Sequence, residues 1–197
     1  MYISKNECRK LNDDELVHKS SQNIEYFACL FEKYEKKLIR YILRISSFSL
    51  EEADDILQEA FLKIWKNLNK FDSSLRFSSW AYRIVHNTTM SGWKKSKSYG
   101  KDKHINIDDE LFKDMLPGND FAEELYNGNK DMEIRKILND LPKKYSDVLV
   151  LKFLEEKNYN EISDILKKPM GTIATLIHRA KKAFREEASK NNIMFEL

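Results

Sequence analysis

Turn-forming residues are scarce in this sequence, whose 197 residues include three prolines and five glycines. So few breakers favour an all-α protein with short connections. Cysteine is scarcer still. Cys8 and Cys29 are too few and too scattered for a disulfide framework or a zinc site, and they fit a reducing compartment. No apolar run approaches the length of a membrane span, and the opening YISKNECRKLNDDE has no apolar core of a signal peptide. The expectation is a cytoplasmic protein with no membrane partner. The histidines His18, His86, His104 and His178 are scattered without metal-ligand spacing. G-x-x-x-x-G-K-[ST], G-x-S-x-G and H-E-x-x-H are all missing. Catalytic residues, metal and cofactors are therefore not expected, and the chain does not read as an enzyme. A net charge of +2 gives no overall bias toward either sign.

What is present is core-forming material: 42% hydrophobic and 12% aromatic residues beside 34% charged ones. That is enough for one ordinary domain or two small ones rather than for disorder. The most informative stretch is 51–69, EEADDILQEAFLKIWKNLN. Ala53, Ile56, Leu57, Ala60, Phe61, Ile64 and Leu68 recur at i, i+3, i+4 and i+7, the buried stripe of an amphipathic helix. At about 100° per residue, Leu62 falls across from that stripe, ringed by Asp55, Gln58, Glu59 and Lys66 with Trp65 on its flank. A solvated face with a stray leucine would look like this, and so would a docking surface of apolar anchors inside a polar rim.

The chain divides around that helix. Residues 1–12 read as a frayed, disordered start. A helical pattern runs from 13 to 47, and Ser49 caps the key helix with Glu51 and Glu52 in its first turn. Beyond it, from 71 to 97, aromatic and basic residues interleave: Phe71, Arg76, Phe77, Trp80, Tyr82, Arg83, Trp93, Lys94, Lys95 and Lys97. Aromatic rings stack unpaired bases at about 1–3 kcal/mol each, and the cations neutralise phosphates. The plain alternatives are that Trp80 and Tyr82 are core and that the lysines are merely solvated.

From 98 to 129 the helical period fails, and Asp108, Asp109, Glu110, Asp114, Asp120, Glu123 and Glu124 mark a linker, with a short helix expected at 121–126. A second domain, 130–190, starts near Lys130, and Leu141-Pro142 marks a helix boundary within it. Tyr145, Val148, Leu149, Leu151, Phe153 and Leu154 read as a buried helix. Asn158 and Glu161 make a capping box for YNEISDIL, Lys167-Lys168-Pro169 a tight turn, and Ile173, Ile177, Ala180 and Phe184 the buried side of the last helix. Short helix, tight turn and longer helix make a helix-turn-helix, and no acid occurs between 167 and 185, against six basic residues.

Four of these segments resemble, in order, a known family. D-D-I-L-Q-E-A-F-L-K-I-W is similar to the region 2.2 motif of bacterial RNA polymerase sigma factors, and the short architecture resembles their extracytoplasmic-function (ECF) group. L-F-E-K-Y-E-K-K-L-I-R-Y-I-L-R resembles the start of sigma region 2. F-D-x-x-x-x-F-x-x-W-x-Y-R-I-x-x-N is similar to regions 2.3 and 2.4. The segment with Y-x-E-I-x-x-I-L and P-x-G-T-I-x-x-x-I-H-R-A-K-K resembles region 4.

The resemblance implies a sigma region 2 helical bundle over 13–97 and a region 4 helix-turn-helix over 130–190. It implies core RNA polymerase as partner, through the β′ clamp helices and the β flap, together with promoter DNA and an anti-sigma factor. By position, Asp55, Gln58, Glu59, Leu62 and Trp65 would meet polymerase. Phe71, Arg76, Phe77, Trp80, Arg83, Asn87, Lys94 and Lys95 would melt and read the −10 element, Phe71 and Asn87 helping to hold a flipped base. Thr172, Thr175, His178, Arg179 and Lys182 would face the −35 element.

Two departures stand out. Ser91-Gly92 replaces the aspartate and large residue that often follow the asparagine, and Gly92 is expected to end or kink its helix. Ala174-Thr175-Leu176 replaces a basic-Ser-Arg run, which removes two phosphate contacts. A DNA-binding regulator that works without polymerase, or a helical adaptor that binds only protein, would account for parts of the same pattern.

Overall fold

A computed structural model describes residues 3–98 and 128–191, and among these every regular element is a helix. The linker acids and the helix expected at 121–126 lie outside the described residues. The chain forms two compact units.

The first unit begins sooner than the sequence suggests. Instead of a disordered start, Lys5–Lys10 form a helix (α1), with the Ser4 hydroxyl accepting from the Glu7 N–H at 3.3 Å. The single pattern expected from 13 to 47 is two helices, α2 (Asp13–Ser20) and α3 (Ile24–Ile45). The break lies at Ser21-Gln22-Asn23, where the Asn23 side chain accepts from the Glu25 N–H at 2.9 Å. Short polar side chains offer the backbone this alternative to continuing a helix, and the apolar period passes over it unbroken.

The fold-back laid down by that break corrects the reading of the cysteines. α1 rests on α3, and Cys8 and Cys29, 21 positions apart in sequence, are joined by a disulfide with a Cα–Cα distance of 5.4 Å. Their separation in the chain gave no sign of this, because it spans a helix that doubles back.

α4 (Leu50–Asn67) has the expected Ser49 cap, a full capping box with Glu52 reaching back to the Ser49 N–H at 2.8 Å. A 3₁₀ turn (Leu68–Lys70) and a loop lead to α5 (Phe77–Ser98). Leu30, Leu38 and Ile42 of α3, Leu57, Ala60 and Ile64 of α4, and Ala81 and Val85 of α5 form the core. Ser79 Oγ is buried in it without a hydrogen-bond partner, whereas other polar groups there are paired. Tyr41 Oη and His86 Nδ1 hydrogen-bond at 2.9 Å, and Tyr34 Oη donates to Asp13 Oδ2. Burial, with the Asp13 carboxylate adding to it, pushes the Tyr34 phenol far above its ordinary value.

Gly92 does not end α5; the helix runs six residues past it. Its role is steric. A Cβ there would lie 2.7 Å from Ile56 Cδ1 and 3.4 Å from Phe48 Cζ, so the missing side chain lets α5 close on α4. Gly92→Ala should change stability by less than about 1 kcal/mol, because alanine's helix propensity offsets a small shift of the Ile56 tip. Gly92→Leu should cost about 1–3 kcal/mol by overpacking. Thermal unfolding of both variants followed by tryptophan emission checks this.

The second unit holds α6 (Gly128–Asp140), α7 (Lys143–Leu149), α8 (Tyr159–Leu166) and α9 (Met170–Lys190). α8 has the expected Asn158–Glu161 capping box, with bonds of 2.9 and 3.0 Å. It stops at Lys167, whose φ of 51° is left-handed, and the Ser163 hydroxyl donates to the Lys168 carbonyl at 2.6 Å across the turn. Phe153, expected in the core, is 46% exposed. α7 runs into a π-helical turn, Val150–Leu154, whose larger number of residues per turn rotates position 153 off the buried stripe that ordinary helical spacing assigns it to.

Candidate functional site

Three surfaces carry the sequence-predicted residues. On α4, Ala53, Leu57, Ala60, Phe61 and Ile64 are buried, and Asp55, Gln58, Glu59, Leu62 and Lys66 form one exposed stripe. Leu62 is 58% exposed. The polar rim is braced along the helix. Gln58 donates to Asp54 Oδ2 at 2.9 Å, and Lys63 pairs with Glu59 at 2.7 Å. Trp65 is half-buried, its ring 4.9 Å from that of Phe27 on α3, so one edge is anchored and the other faces out. An apolar centre with carboxylate and amide neighbours is suited to a partner surface that is apolar and cationic.

The aromatic–basic segment splits into two kinds of residue. Phe77 is only 1% exposed and lies among the rings of Tyr34, Phe71 and Trp80 at 5.5, 5.8 and 5.9 Å. It is a core residue, not a DNA contact, because the first residue of α5 shares the inward face with Ala81 and Val85. Tyr82 is core as well, its ring tilted against that of Tyr41 at 4.9 Å. Trp80 is buried at 7% exposure, yet one side of it walls an open cleft of about 390 Å³. Lys63, Lys70, Asn87, Thr88 and Ser91 also line that cleft, giving an aromatic wall with amide, hydroxyl and ammonium groups around it. Phe71 is half-buried outside the cleft lining and backs Trp80 at 5.1 Å. Arg76, Lys94 and Lys95 are exposed and Arg83 is half-buried. The side chain of Lys97 lies outside the described residues.

Sequence reasoning missed Lys63 and Lys70. Lys63 and Asn67 stand at i and i+4 on α4, between its buried and exposed faces, and Lys70 follows in the 3₁₀ turn, so the spacing that located the docking face also held part of this signal. Lys63 reaches across to donate to Thr88 Oγ1 at 3.2 Å, tying α4 to α5 at the cleft.

On α9, Ile173, Ile177, Ala180, Phe184 and Ala188 are buried, and Thr172, Thr175, His178, Arg179 and Lys182 are all exposed. The structure thus brings the five predicted residues onto the outward side of one helix. The Thr175 hydroxyl donates to the Gly171 carbonyl at 2.9 Å, which leaves its lone pairs for an incoming donor. Lys182 stands 3.9 Å from Glu186, an exposed pair too weak to hold the ammonium away from a phosphate. Met170, 53% exposed at the start of α9, was not singled out by charge or capping patterns.

Among the described residues, no helix is long and apolar enough to cross a membrane, and no cluster of three or more His, Cys, Asp or Glu side chains is placed to hold a metal ion.

An all-α bundle with an exposed apolar–acidic helix face, together with a helix-turn-helix whose long helix turns a basic side outward, defines a helical DNA-directed protein of two units. The comparisons make that class specific. Residues 30–99 match Sigma-70 region 2 and residues 131–184 match Sigma-70, region 4. The chain is 34% identical over 168 residues to the ECF RNA polymerase sigma factor SigW of Bacillus subtilis, covering 82% of this chain and 88% of that one. It is 25% identical to the ECF RNA polymerase sigma-E factor of Haemophilus influenzae, over 89% and 94% of the two chains. The chain belongs to the ECF RNA polymerase sigma factors, and it is a transcription initiation factor rather than an enzyme.

Solved structures share the fold. CnrH, in complex with the cytosolic domain of CnrY, superposes with a TM-score of 0.64 at 18% identity, over 89% of this chain and 96% of that one. The sigma factor RpoE of Bartonella quintana, in complex with the anti-sigma factor NepR, gives 0.62 at 19% identity, over 83% and 96%.

Proposed function

We propose that this sigma factor docks on core RNA polymerase through the exposed stripe of α4, with Leu62 as the apolar anchor and Asp55, Gln58 and Glu59 as its polar rim. The exposure of Leu62 inside that rim is the observation that carries the reading. Trp65 borders the same face, where the β′ clamp helices would lie, and the second unit would meet the β flap.

The cleft beside Trp80 receives an unpaired base of the −10 element. The indole supplies a stacking wall, Asn87 and Ser91 supply groups that read a base edge, and Lys63 and Lys70 attract the adjoining phosphates. Phe71 supports the cleft from behind Trp80, and Arg76, Arg83, Lys94 and Lys95 track the strand. The outward side of α9 binds the −35 element. An anti-sigma factor would cover one or more of these faces, as an anti-sigma partner accompanies RpoE. Work alongside polymerase would put the protein in the cytoplasm.

The test is reconstitution. Core polymerase supplemented with the protein should initiate at defined sites on genomic DNA that core alone ignores. Site-selective DNA binding by the protein alone, unchanged when core is added, would instead make it a regulator that works without polymerase.

The α9 contacts have their own test. Each phosphate neutralised contributes about 0.9 to the slope of log K against log salt, so Lys182→Ala should flatten that slope by about 0.9 in a holoenzyme–promoter titration. Thr175→Ala removes no cation and should leave the slope unchanged.

A further inference from the structure

We propose that Cys8 and Cys29 form a reversible redox site that fastens the N-terminal helix to the first unit by exchange with low-molecular-mass thiols and disulfides. Apart from the disulfide, few contacts hold α1 down. None of its residues is buried, and it meets α3 through an exposed Lys5–Glu32 pair at 3.6 Å and a Tyr26–Glu7 hydrogen bond at 3.4 Å. A helix of six residues has too few internal bonds to persist by itself. The covalent bond is therefore what keeps α1 in place.

The two sulfurs are unequally accessible. Cys29 is buried in α3, and Cys8 is half-buried on α1, the more accessible of the two. Access favours exchange, so Cys8 is the entry point. In the closing direction the Cys8 thiolate attacks a small-molecule disulfide and expels one thiolate, leaving a mixed disulfide on Cys8. The Cys29 thiolate then attacks the Cys8 sulfur, forms the Cys8–Cys29 bond and expels the second thiolate. The two protons from the cysteine thiols end on the two released small thiols, and the small disulfide is the species reduced. Opening runs the same steps backwards with two small thiols. The open state leaves no stranded donor, since the Cys29 sulfur lies 3.7 Å from the Glu25 carbonyl oxygen, to which its thiol then donates.

Closing the loop between positions 21 apart restricts the unfolded chain, so opening it should lower the melting temperature of the first unit by about 10 °C or more. All three tryptophans, Trp65, Trp80 and Trp93, belong to that unit, so their emission follows its unfolding without the second unit. The experiment uses the full chain equilibrated with glutathione disulfide or with excess dithiothreitol, followed by iodoacetamide and mass measurement, tryptophan-detected melting and brief trypsin treatment. The oxidised protein should take up no label and the reduced protein two. Reduction should lower the melting temperature and speed cleavage after Lys5, Arg9 and Lys10 by about tenfold or more, as local release of α1 requires. Cys8→Ser should match the reduced wild type in both assays and ignore the redox state, and re-oxidation should restore the wild type alone. Two labels after glutathione disulfide treatment would overturn the proposal. So would melting and cleavage that do not change with redox state, or Cys8→Ser behaving like the oxidised wild type.

Discussion

Asp55→Lys should leave the first unit folded and lower its affinity for core RNA polymerase about a hundredfold. The residue is exposed on α4 and lies outside the buried stripe, so its replacement should change the melting temperature very little. The introduced ammonium would stand within reach of Glu51, Glu52 and Glu59, which offsets any loss along the helix. At an interface the same reversal puts a cation where the partner presents cations. Like-charge contact there costs several kcal/mol, and about 2.7 kcal/mol corresponds to the hundredfold loss. Leu62→Ala tests the apolar half of the same face and should cost about tenfold, as for a truncated interface anchor. Affinity measured by titrating core polymerase against fluorescently labelled protein separates these values from the wild type. Wild-type affinity in Asp55→Lys would remove α4 as the docking element.

The second large effect separates two phenylalanines that sequence pattern treats alike. Phe77→Ala should destabilise the first unit by about 3–5 kcal/mol, because it empties a fully enclosed site among Tyr34, Phe71 and Trp80. Its promoter-opening defect should then follow the fraction unfolded and be rescued by lower temperature. Phe71→Ala should cost about 1–2 kcal/mol of stability, since that ring is already partly in water. It should still slow promoter opening at temperatures where the protein is fully folded, because Trp80 loses the ring that backs it. Chemical denaturation of both variants, set beside the opening rate from a fluorescent base analogue placed in the −10 element, distinguishes the cases. A Phe77→Ala protein as stable as wild type would contradict the placement of that ring in the core.

This pair of residues also marks where the sequence was legible and where it was not. α4 could be read almost completely, because a clean apolar stripe, a capping serine and an acidic first turn all agree with one helix. The Asn158–Glu161 box and the Lys167-Lys168-Pro169 turn were legible for the same reason: capping and turn chemistry are local. What stayed hidden depended on contacts distant in sequence. An aromatic residue beside arginines looks the same whether it stacks on a base or on Tyr34, so pattern alone points Phe77 toward DNA. Gly92 looked like a helix end, and only Ile56 and Phe48, brought against it by folding, explain its size. Phe153 left the core because a π turn broke the 3.6-residue period. Cys8 and Cys29 met because α2 folds back between them.

The central claim, that the exposed stripe of α4 docks on polymerase, is tested most directly by site-specific photocrosslinking. A benzophenone amino acid would replace Leu62 in one protein and Asp14, exposed on α2, in another. Each protein would be irradiated with core RNA polymerase, and the crosslinked subunit identified by mass spectrometry. The account predicts a strong crosslink from position 62 to the β′ subunit and a much weaker one from position 14. No polymerase crosslink from position 62, in a preparation that still directs transcription, would contradict it.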